Sequence, residues 1–171
     1  MDWVLTSERL DLRKITKEDF EQICAILQDA EIMYAWEHTF DNDEVWEWIE
    51  KNLIRYANEG FSYFAAIEKN THEFIGVLGP LIEEIHGVKY IGIGYILNKR
   101  YWGKGYASEG AKACMDYAFD CLNADKVIAQ IRPNNLSSRK VAENVGMKIE
   151  SEYIKRYNNT DMPHLIYSRV K

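Results

Sequence analysis

The chain has 171 residues, of which 47% are hydrophobic and 28% are charged. This length suffices for one domain with a hydrophobic core, so we expect a single domain over residues 1–171. The net charge of −6 argues against a protein that binds nucleic acid by neutralising backbone phosphates. Apolar runs fall short of the roughly 18 residues of a membrane span, and the N-terminus lacks a secretory signal, which predicts a cytoplasmic protein without a membrane partner.

Neither the cysteines nor the histidines are spaced like metal ligands. Cys24, Cys114 and Cys121 fall within helical patterns and match no zinc motif, so we expect buried thiols. The four histidines are scattered, with no paired spacing. We therefore predict that the protein has no metal site.

One strand and two helices are predicted in the first sixty residues. Leu10–Lys14 alternates apolar and polar residues, as a strand does. Thr16 followed by Asp19 is typical of a helix start, and an apolar stripe follows it. A second helix is expected from near Asp41, and Gly60 supplies its C-terminal stop.

Three strand-like runs occupy the middle of the chain, at residues 61–68, 74–81 and 90–97. Polar and glycine-containing turns separate them, and their short spacing predicts an antiparallel meander. A helix is then expected at residues 107–122, where apolar residues repeat at intervals of three and four.

The last third of the chain predicts a strand at residues 126–131, a short helix at 137–145 and a closing hairpin of 150–157 and 164–170. The complete order of elements is βααβββαβαββ. It predicts an α/β fold with about seven strands and four helices, in a sheet that is mixed but mostly antiparallel.

The segment that joins the meander to the third helix has the layout of an anion site. Gly103 and Gly105 interrupt a basic stretch that begins at Arg100. Glycines let the backbone approach a phosphate closely, and free N–H groups at a helix N-terminus attract negative charge. The spacing matches neither a dinucleotide fingerprint nor a P-loop. We expect a pyrophosphate-containing ligand here, with an ordinary strand-to-helix turn as the alternative.

The pattern R-x-x-G-x-G-x-A at residues 100–107 resembles the phosphate loop of the GNAT superfamily of acetyl-CoA-dependent N-acetyltransferases. Residues 131–147 are similar to that family's N-x-x-S…G-F segment. Residues 101–109 most resemble the Rim-type branch, which acetylates the N-termini of ribosomal proteins. The resemblance in element order covers nearly the whole chain and implies the GNAT fold, with acetyl-CoA as cosubstrate.

The resemblance implies that the strand before the loop binds the pantetheine arm of the cofactor. In the family this strand splays from its neighbour at a bulge, and Tyr95, Ile96 and Leu97 occupy it here. Gly92 and Gly94 would ease such a bulge. The N–H of Ile96 or Leu97 would then be free to stabilise the oxyanion that develops on the acetyl carbonyl.

By the same resemblance, backbone N–H groups of residues 102–107 would hold the pyrophosphate, and Asn135 would reach the pantetheine arm near the sulfur. The alternatives are a solvated basic turn for Arg100 and Lys104, and a surface position for Arg139. The implied cofactor contacts are Tyr95, Ile96, Leu97, Arg100, Trp102, Gly103, Lys104, Gly105, Tyr106, Ala107, Asn135, Ser138 and Arg139.

Transfer to an amine also needs an acid for the leaving thiol. The family often places a tyrosine seven residues after the asparagine, but Ala142 occupies that position here. A thiol pKa of roughly 8.5 lets the thiolate depart with little protonation. Ser138 can donate a proton instead, as a residue there is thought to do in the Rim-type branch. The alternative for Ser138 is a helix hydroxyl bonded to its own backbone.

The amine must lose a proton, which requires a general base. The candidates are Glu37, Glu84 and His164, each in a segment that the family uses to line its substrate groove. Glu37 is preferred, and a solvated loop carboxylate is its alternative. A structural histidine is the alternative for His164.

Together these features imply direct transfer of an acetyl group from acetyl-CoA to a primary amine, such as a protein N-terminus. The alternatives are a small-molecule amine (a polyamine, amino acid or antibiotic) and a non-catalytic module that binds acyl-CoA. The sequence leaves open whether the protein is a monomer or a homodimer.

Overall fold

Eight strands form one sheet with four α-helices in the computed structural model, which describes residues 2–171. The strands are β1 (Trp3–Thr6), β2 (Leu10–Lys14), β3 (Phe64–Glu68), β4 (Phe74–Ile85), β5 (Val88–Leu97), β6 (Lys126–Ile131), β7 (Lys148–Tyr157) and β8 (Thr160–Val170). The helices are α1 (Phe20–Leu27), α2 (Asn42–Glu59), α3 (Tyr106–Asp120) and α4 (Leu136–Asn144). The predicted α/β class and the four helices are confirmed.

The strand order across the sheet is β1-β2-β3-β4-β5-β6-β8-β7. Every neighbouring pair is antiparallel except β5 and β6, because α3 carries the chain across between these two strands. The strand that the sequence analysis missed is β1. It has only four residues, too few for alternation to stand out, and it is held by pairing with β2.

The hairpin between β4 and β5 is longer than predicted. Its ladder continues to the pair Ile85 and Val88, and only His86 and Gly87 form the turn. Both turn residues have positive φ, 50° and 77°, which suits a two-residue hairpin turn. The segment predicted to be a loop after residue 81 is therefore strand.

The residues predicted to start and end the first two helices do lie near the ends of α1 and α2, although α1 begins later than expected. Asp41 caps α2 and accepts a hydrogen bond from Glu44 N at 2.8 Å, and Gly60 ends the helix with a φ of 88°. Near Thr16 the chain first makes a single 3₁₀ turn and enters α1 only at Phe20.

The three cysteines differ in exposure. Cys114 is buried in α3, Cys24 is half-buried and Cys121 is exposed, so the expectation of three buried thiols is wrong for Cys121, which lies just beyond the end of α3.

Within residues 2–171, no cluster of acidic, histidine and cysteine side chains is placed to hold a metal ion. None of the helices in that range is both long and apolar enough to cross a bilayer.

The sheet opens between its two parallel strands. β5 and β6 are paired only at Ile91 with Val127 and at Gly92 with Ile128. Beyond Gly92, β5 pairs with β4 alone, in an unbroken register that ends at Leu97. The predicted bulge is therefore not present in the β4–β5 ladder, and the cleft arises because the β5–β6 pairing stops.

Candidate active site

A cleft of about 640 Å³ lies where β5 has separated from β6, and we call it the donor cleft. Its walls come from the second half of β5, the glycine loop, the start of α3 and one face of α4. The lining residues are Glu31, Ile32, Tyr34, Trp36, Tyr95, Ile96, Leu97, Tyr101, Trp102, Gly103, Gly105, Tyr106, Ala107, Ser108, Asn135, Ser137, Ser138, Lys140, Val141 and Asn144.

The register of β5 decides which backbone groups face this cleft. Asn98 N donates to Ile75 O at 2.9 Å, and Leu97 lies opposite Gly76. Because hydrogen-bonded positions alternate along an antiparallel ladder, the N–H of Ile96 points to β4, while that of Leu97 points away from it. Of the two oxyanion donors predicted from the sequence, the geometry therefore favours Leu97.

The glycine loop ends the donor cleft at the N-terminus of α3. Gly103 and Gly105 have φ values of 76° and 82°, a left-handed conformation that favours glycine, and Gly105 is the N-cap residue. The first N–H groups of α3, from Tyr106 onward, have no partner within the helix. With the positive end of the helix dipole behind them, they form a site for an anion.

The basic side chains predicted near this loop do not line the cleft. Arg100 is exposed and lies 5.6 Å from the ring centre of Tyr101. Arg139 Nε donates to Tyr167 Oη at 3.0 Å, on the other side of α4. The structure thus places the Arg100 and Arg139 side chains outside the wall of the donor cleft, and their contacts with the cofactor remain predictions. Lys104 lies 5.8 Å from the Tyr101 ring and is also absent from the cleft wall.

The cation that does line the donor cleft is Lys140 on α4, which was not among the cofactor contacts predicted from the sequence. Two residues separate Lys140 from Ser137, so both lie on the same face of the helix. This i, i+3 spacing can be read in the sequence and indicates that Lys140 shares a face with Ser137. The sequence alone gave no reason to prefer Lys140 to Arg139, because only packing shows which face of α4 is turned to the sheet.

Asn135 holds the entrance of α4. Its Oδ1 accepts hydrogen bonds from Ser138 N at 3.3 Å and from Tyr34 Oη at 2.8 Å. The side chain thus caps the helix and ties it to the segment between α1 and α2. Its amide nitrogen stays available, so the predicted contact with the pantetheine arm remains a prediction.

A second cavity, of about 150 Å³, adjoins the donor cleft, and we call it the inner acceptor cavity. The two share Trp36, Tyr95, Asn135 and Ser138. Its other walls come from Tyr63, just before β3, and from β4, β5, β6, β7 and β8. The further lining residues are Ala35, Tyr63, Glu83, Ile93, Gly94, Ala129, Gln130, Ile131, Arg132, Lys155, Tyr157, Met162 and His164.

Glu83 is the acidic residue in the wall of the inner acceptor cavity. Its side chain crosses Gly92 on the next strand, where an added Cβ would lie 2.4 Å from Glu83 Cγ. Its carboxylate accepts a hydrogen bond from Gln130 Nε2 at 2.9 Å. Burial raises the pKa of Glu83 above its ordinary value, although the nearby charge of Lys155 opposes that rise.

The sequence analysis missed Glu83 because it ended the strand at residue 81. Once β4 continues to Ile85, successive side chains point to opposite faces, and Glu83 and Glu84 separate. Glu83 faces the cavity, whereas Glu84 is exposed and does not line it. The structure thus replaces Glu84 by its neighbour as the candidate base on this strand.

Glu37, the preferred base from the sequence, lines neither cavity. Its carboxylate pairs with Arg132 Nη1 at 2.9 Å, and 58% of its side chain is exposed. The arginine that it neutralises lies in the wall of the inner acceptor cavity. The structure therefore places Glu37 outside both cavities, in an ion pair with Arg132.

His164 does line the inner acceptor cavity. Its Nδ1 lies 3.0 Å from Met162 O, and because a carbonyl only accepts, Nδ1 carries the hydrogen and Nε2 keeps a lone pair. Burial lowers the pKa of His164, so the ring is neutral at pH 7. It remains a candidate base.

Ser138 lies where the two cavities meet. Tyr95 Oη donates to Ser138 O at 2.7 Å and fixes the backbone there. Ser138 lines both cavities, whereas Ala142 is only 1% exposed and packs in the core. The position where the family often carries a tyrosine therefore does not face the cleft in this chain.

The fold and the two joined cavities define an acyltransferase, with a donor cleft built from backbone and an acceptor cavity built from side chains. Residues 9–148 match the family described as the acetyltransferase (GNAT) domain. The chain therefore belongs to the GNAT family of acetyltransferases, which use acetyl-CoA as the acetyl donor, and the predicted GNAT fold is confirmed.

Similar proteins support this assignment over almost the whole chain. An uncharacterized protein of Bacillus subtilis, YkkB, is 33% identical over 96% of this chain and 94% of its own length. A GNAT acetyltransferase from Bacillus anthracis is 26% identical, with a TM-score of 0.82 and 97% of each chain covered. RimL, a ribosomal alpha-N-protein acetyltransferase in complex with coenzyme A, has a TM-score of 0.76 at 18% identity, with 99% of this chain and 98% of its own covered, and shares the fold. The Rim-type branch remains a prediction for this chain.

Proposed function

We propose that this protein binds acetyl-CoA in the donor cleft and transfers the acetyl group directly to a primary amine in the inner acceptor cavity. The observation that carries the proposal is the junction of the two cavities at Trp36, Tyr95, Asn135 and Ser138. A thioester at this junction has backbone donors on one side and the Glu83 carboxylate on the other.

The donor side acts through the backbone. The pyrophosphate lies against the N-terminus of α3, behind Gly103 and Gly105, and Lys140 on the facing wall adds a positive charge. The pantetheine arm runs along β5, where the backbone of Tyr95 and Leu97 is turned away from β4. The N–H of Leu97 then stabilises the oxyanion on the acetyl carbonyl.

The acceptor side supplies the base. Glu83 takes the proton that the ammonium group must lose before its nitrogen can attack the thioester carbon. A C–N bond forms and the C–S bond breaks. Ser138 donates a proton to the departing thiolate and is reprotonated by the second proton that the attacking nitrogen loses as it becomes an amide. His164, with its free Nε2, is the second candidate for the base.

The acceptor is a primary amine, and a protein N-terminus of the Rim-type kind is one candidate. A small-molecule amine is the second candidate. A cytoplasmic location remains a prediction.

Two measurements test the proposal. Calorimetry is expected to show acetyl-CoA binding at micromolar concentrations, and a panel of peptides and small amines is expected to include acceptors that release free thiol. No binding at these concentrations would overturn the cofactor assignment. Binding without thiol release from any amine would favour a non-catalytic module that binds acyl-CoA.

A further inference from the structure

The inner acceptor cavity continues outward into a second space of about 380 Å³, the outer acceptor cavity. The two share Trp36, Tyr63, Glu83, Lys155 and Tyr157. An acceptor whose amine reaches Glu83 from solvent can therefore extend its other end into the outer cavity, against α2.

Three cationic side chains line this outer cavity: Lys51 and Arg55 on α2, and Lys155 on β7. Within residues 2–171, none of them has a carboxylate within the 4.0 Å of an ion pair. Arg55 and Lys155 are half-buried, where a charge without a partner costs more than it does in open solvent.

The acidic residues of the same wall form no ion pair with this cluster, although the charge of Glu83 attracts all three cations. Glu83 bonds to Gln130, and Glu44 lies 2.5 Å from His38 Nε2. Glu47 is exposed on α2, one turn before Lys51, and forms no ion pair with it. Partial burial, and then the charges of Arg55 and Lys155, lower the pKa of Lys51, so the cations already repel one another.

We infer that the acceptor is a small amine whose other end carries an anionic group, a carboxylate or a phosphate, that binds Lys51, Arg55 and Lys155. This inference rests on the proposed function and narrows its substrate. The anion relieves the repulsion among the three cations, while the amine is directed to Glu83. A polyamine brings further positive charge to the same wall and is disfavoured.

Matched acceptors test the inference. We expect kcat/KM for γ-aminobutyrate to exceed that for butylamine at least tenfold, or kcat/KM for O-phosphoethanolamine to exceed that for ethanolamine by the same factor. The pair with the larger ratio identifies the anion as carboxylate or phosphate. Equal values within both pairs, or better turnover of a peptide with an amidated C-terminus, would overturn the inference.

Variants connect that preference to the cluster. Lys155→Gln and Arg55→Gln are each expected to lower at least tenfold the ratio of kcat/KM for the anionic acceptor to kcat/KM for the neutral acceptor. Arg156→Gln, the matched control, removes the next cation on β7, which is exposed and paired with Asp161, and should leave the ratio unchanged. An unchanged ratio in the first two variants contradicts the assignment.

A binding measurement separates this inference from the proposed function. If no amine is acetylated although acetyl-CoA binds, the proposed function fails. Calorimetry of the same acceptor pairs against the protein saturated with coenzyme A then decides the inference by itself. Tighter binding of the anionic member supports it, and equal binding overturns it.

Discussion

The donor cleft and the inner acceptor cavity share four residues but are built in different ways. The donor cleft presents backbone N–H groups from one strand end and one helix start, both within residues 95–108. The inner acceptor cavity collects residues from five strands, β4 to β8, among them Glu83, Gln130, Lys155 and His164. Substitution of side chains therefore changes acceptor chemistry far more readily than donor binding, since most donor contacts need only a backbone without obstruction.

Glu83→Gln is expected to have the largest effect on catalysis and none on donor binding. Removal of the general base should lower kcat by about 10²- to 10⁴-fold while the Kd for acetyl-CoA stays the same, because Glu83 does not line the donor cleft. Steady-state kinetics and calorimetry measure the two quantities. The control is Glu84→Gln, which changes the exposed neighbour and should leave both as they are.

A smaller effect is expected from Gly92→Ala, which leaves the carboxylate in place but displaces it. The new Cβ would meet Glu83 Cγ at 2.4 Å, so the Glu83 side chain must shift, which disturbs its hydrogen bond with Gln130. We expect kcat to fall by about 10- to 100-fold, which is what a misplacement of about 1 Å can cost. Activity equal to that of the unaltered protein would show that the position of Glu83 is unimportant.

The donor side is tested by Gly105→Val, which places a branched side chain in the left-handed N-cap position of α3. We expect the Kd for acetyl-CoA to rise at least tenfold, because the phosphates approach this backbone. Gly60→Val is the control, since Gly60 has a similar φ of 88° and open surroundings far from the cleft. If both variants lose only thermal stability and keep their affinity, the anion site lies elsewhere.

The smallest effect concerns stability. Burial raises the pKa of Glu83 in the folded state, so the folded protein holds this proton more tightly than the unfolded chain does. Its ionisation therefore lowers stability as pH rises above the ordinary glutamate pKa, and the penalty is complete above the raised pKa. Glu83→Gln should raise Tm at neutral pH, and the difference should vanish at acidic pH where Glu83 is protonated in both states.

The kinetic consequence has the same origin. If Glu83 is the base, kcat/KM must rise with pH through the raised pKa, and Glu83→Gln must remove that limb of the profile. If His164 is the base instead, the limb persists in Glu83→Gln and is lost in His164→Gln. The pH profiles of these two variants therefore assign the base.

Local signals predicted well those parts of the molecule that neighbouring residues determine. Asp41 and Gly60 bound α2 as expected, because caps depend on hydrogen bonds within a few residues. The glycine loop was likewise found from spacing alone. The end of β4 was wrong because pairing with β5 extends the strand through residues whose local pattern is that of a loop.

The sequence by itself determined the fold class, the order of helices and the glycine-bounded start of α3, because periodicity, caps and left-handed glycines act over short distances along the chain. Only the tertiary structure decided that Leu97 and not Ile96 turns its N–H to the cleft, that Lys140 and not Arg139 faces it, and that Glu83 and not Glu37 or Glu84 lines the inner acceptor cavity. Each of these choices depends on strand register or on which helix face packs inward. Strand register and the inward face of a helix are both set by packing against residues that are distant along the chain.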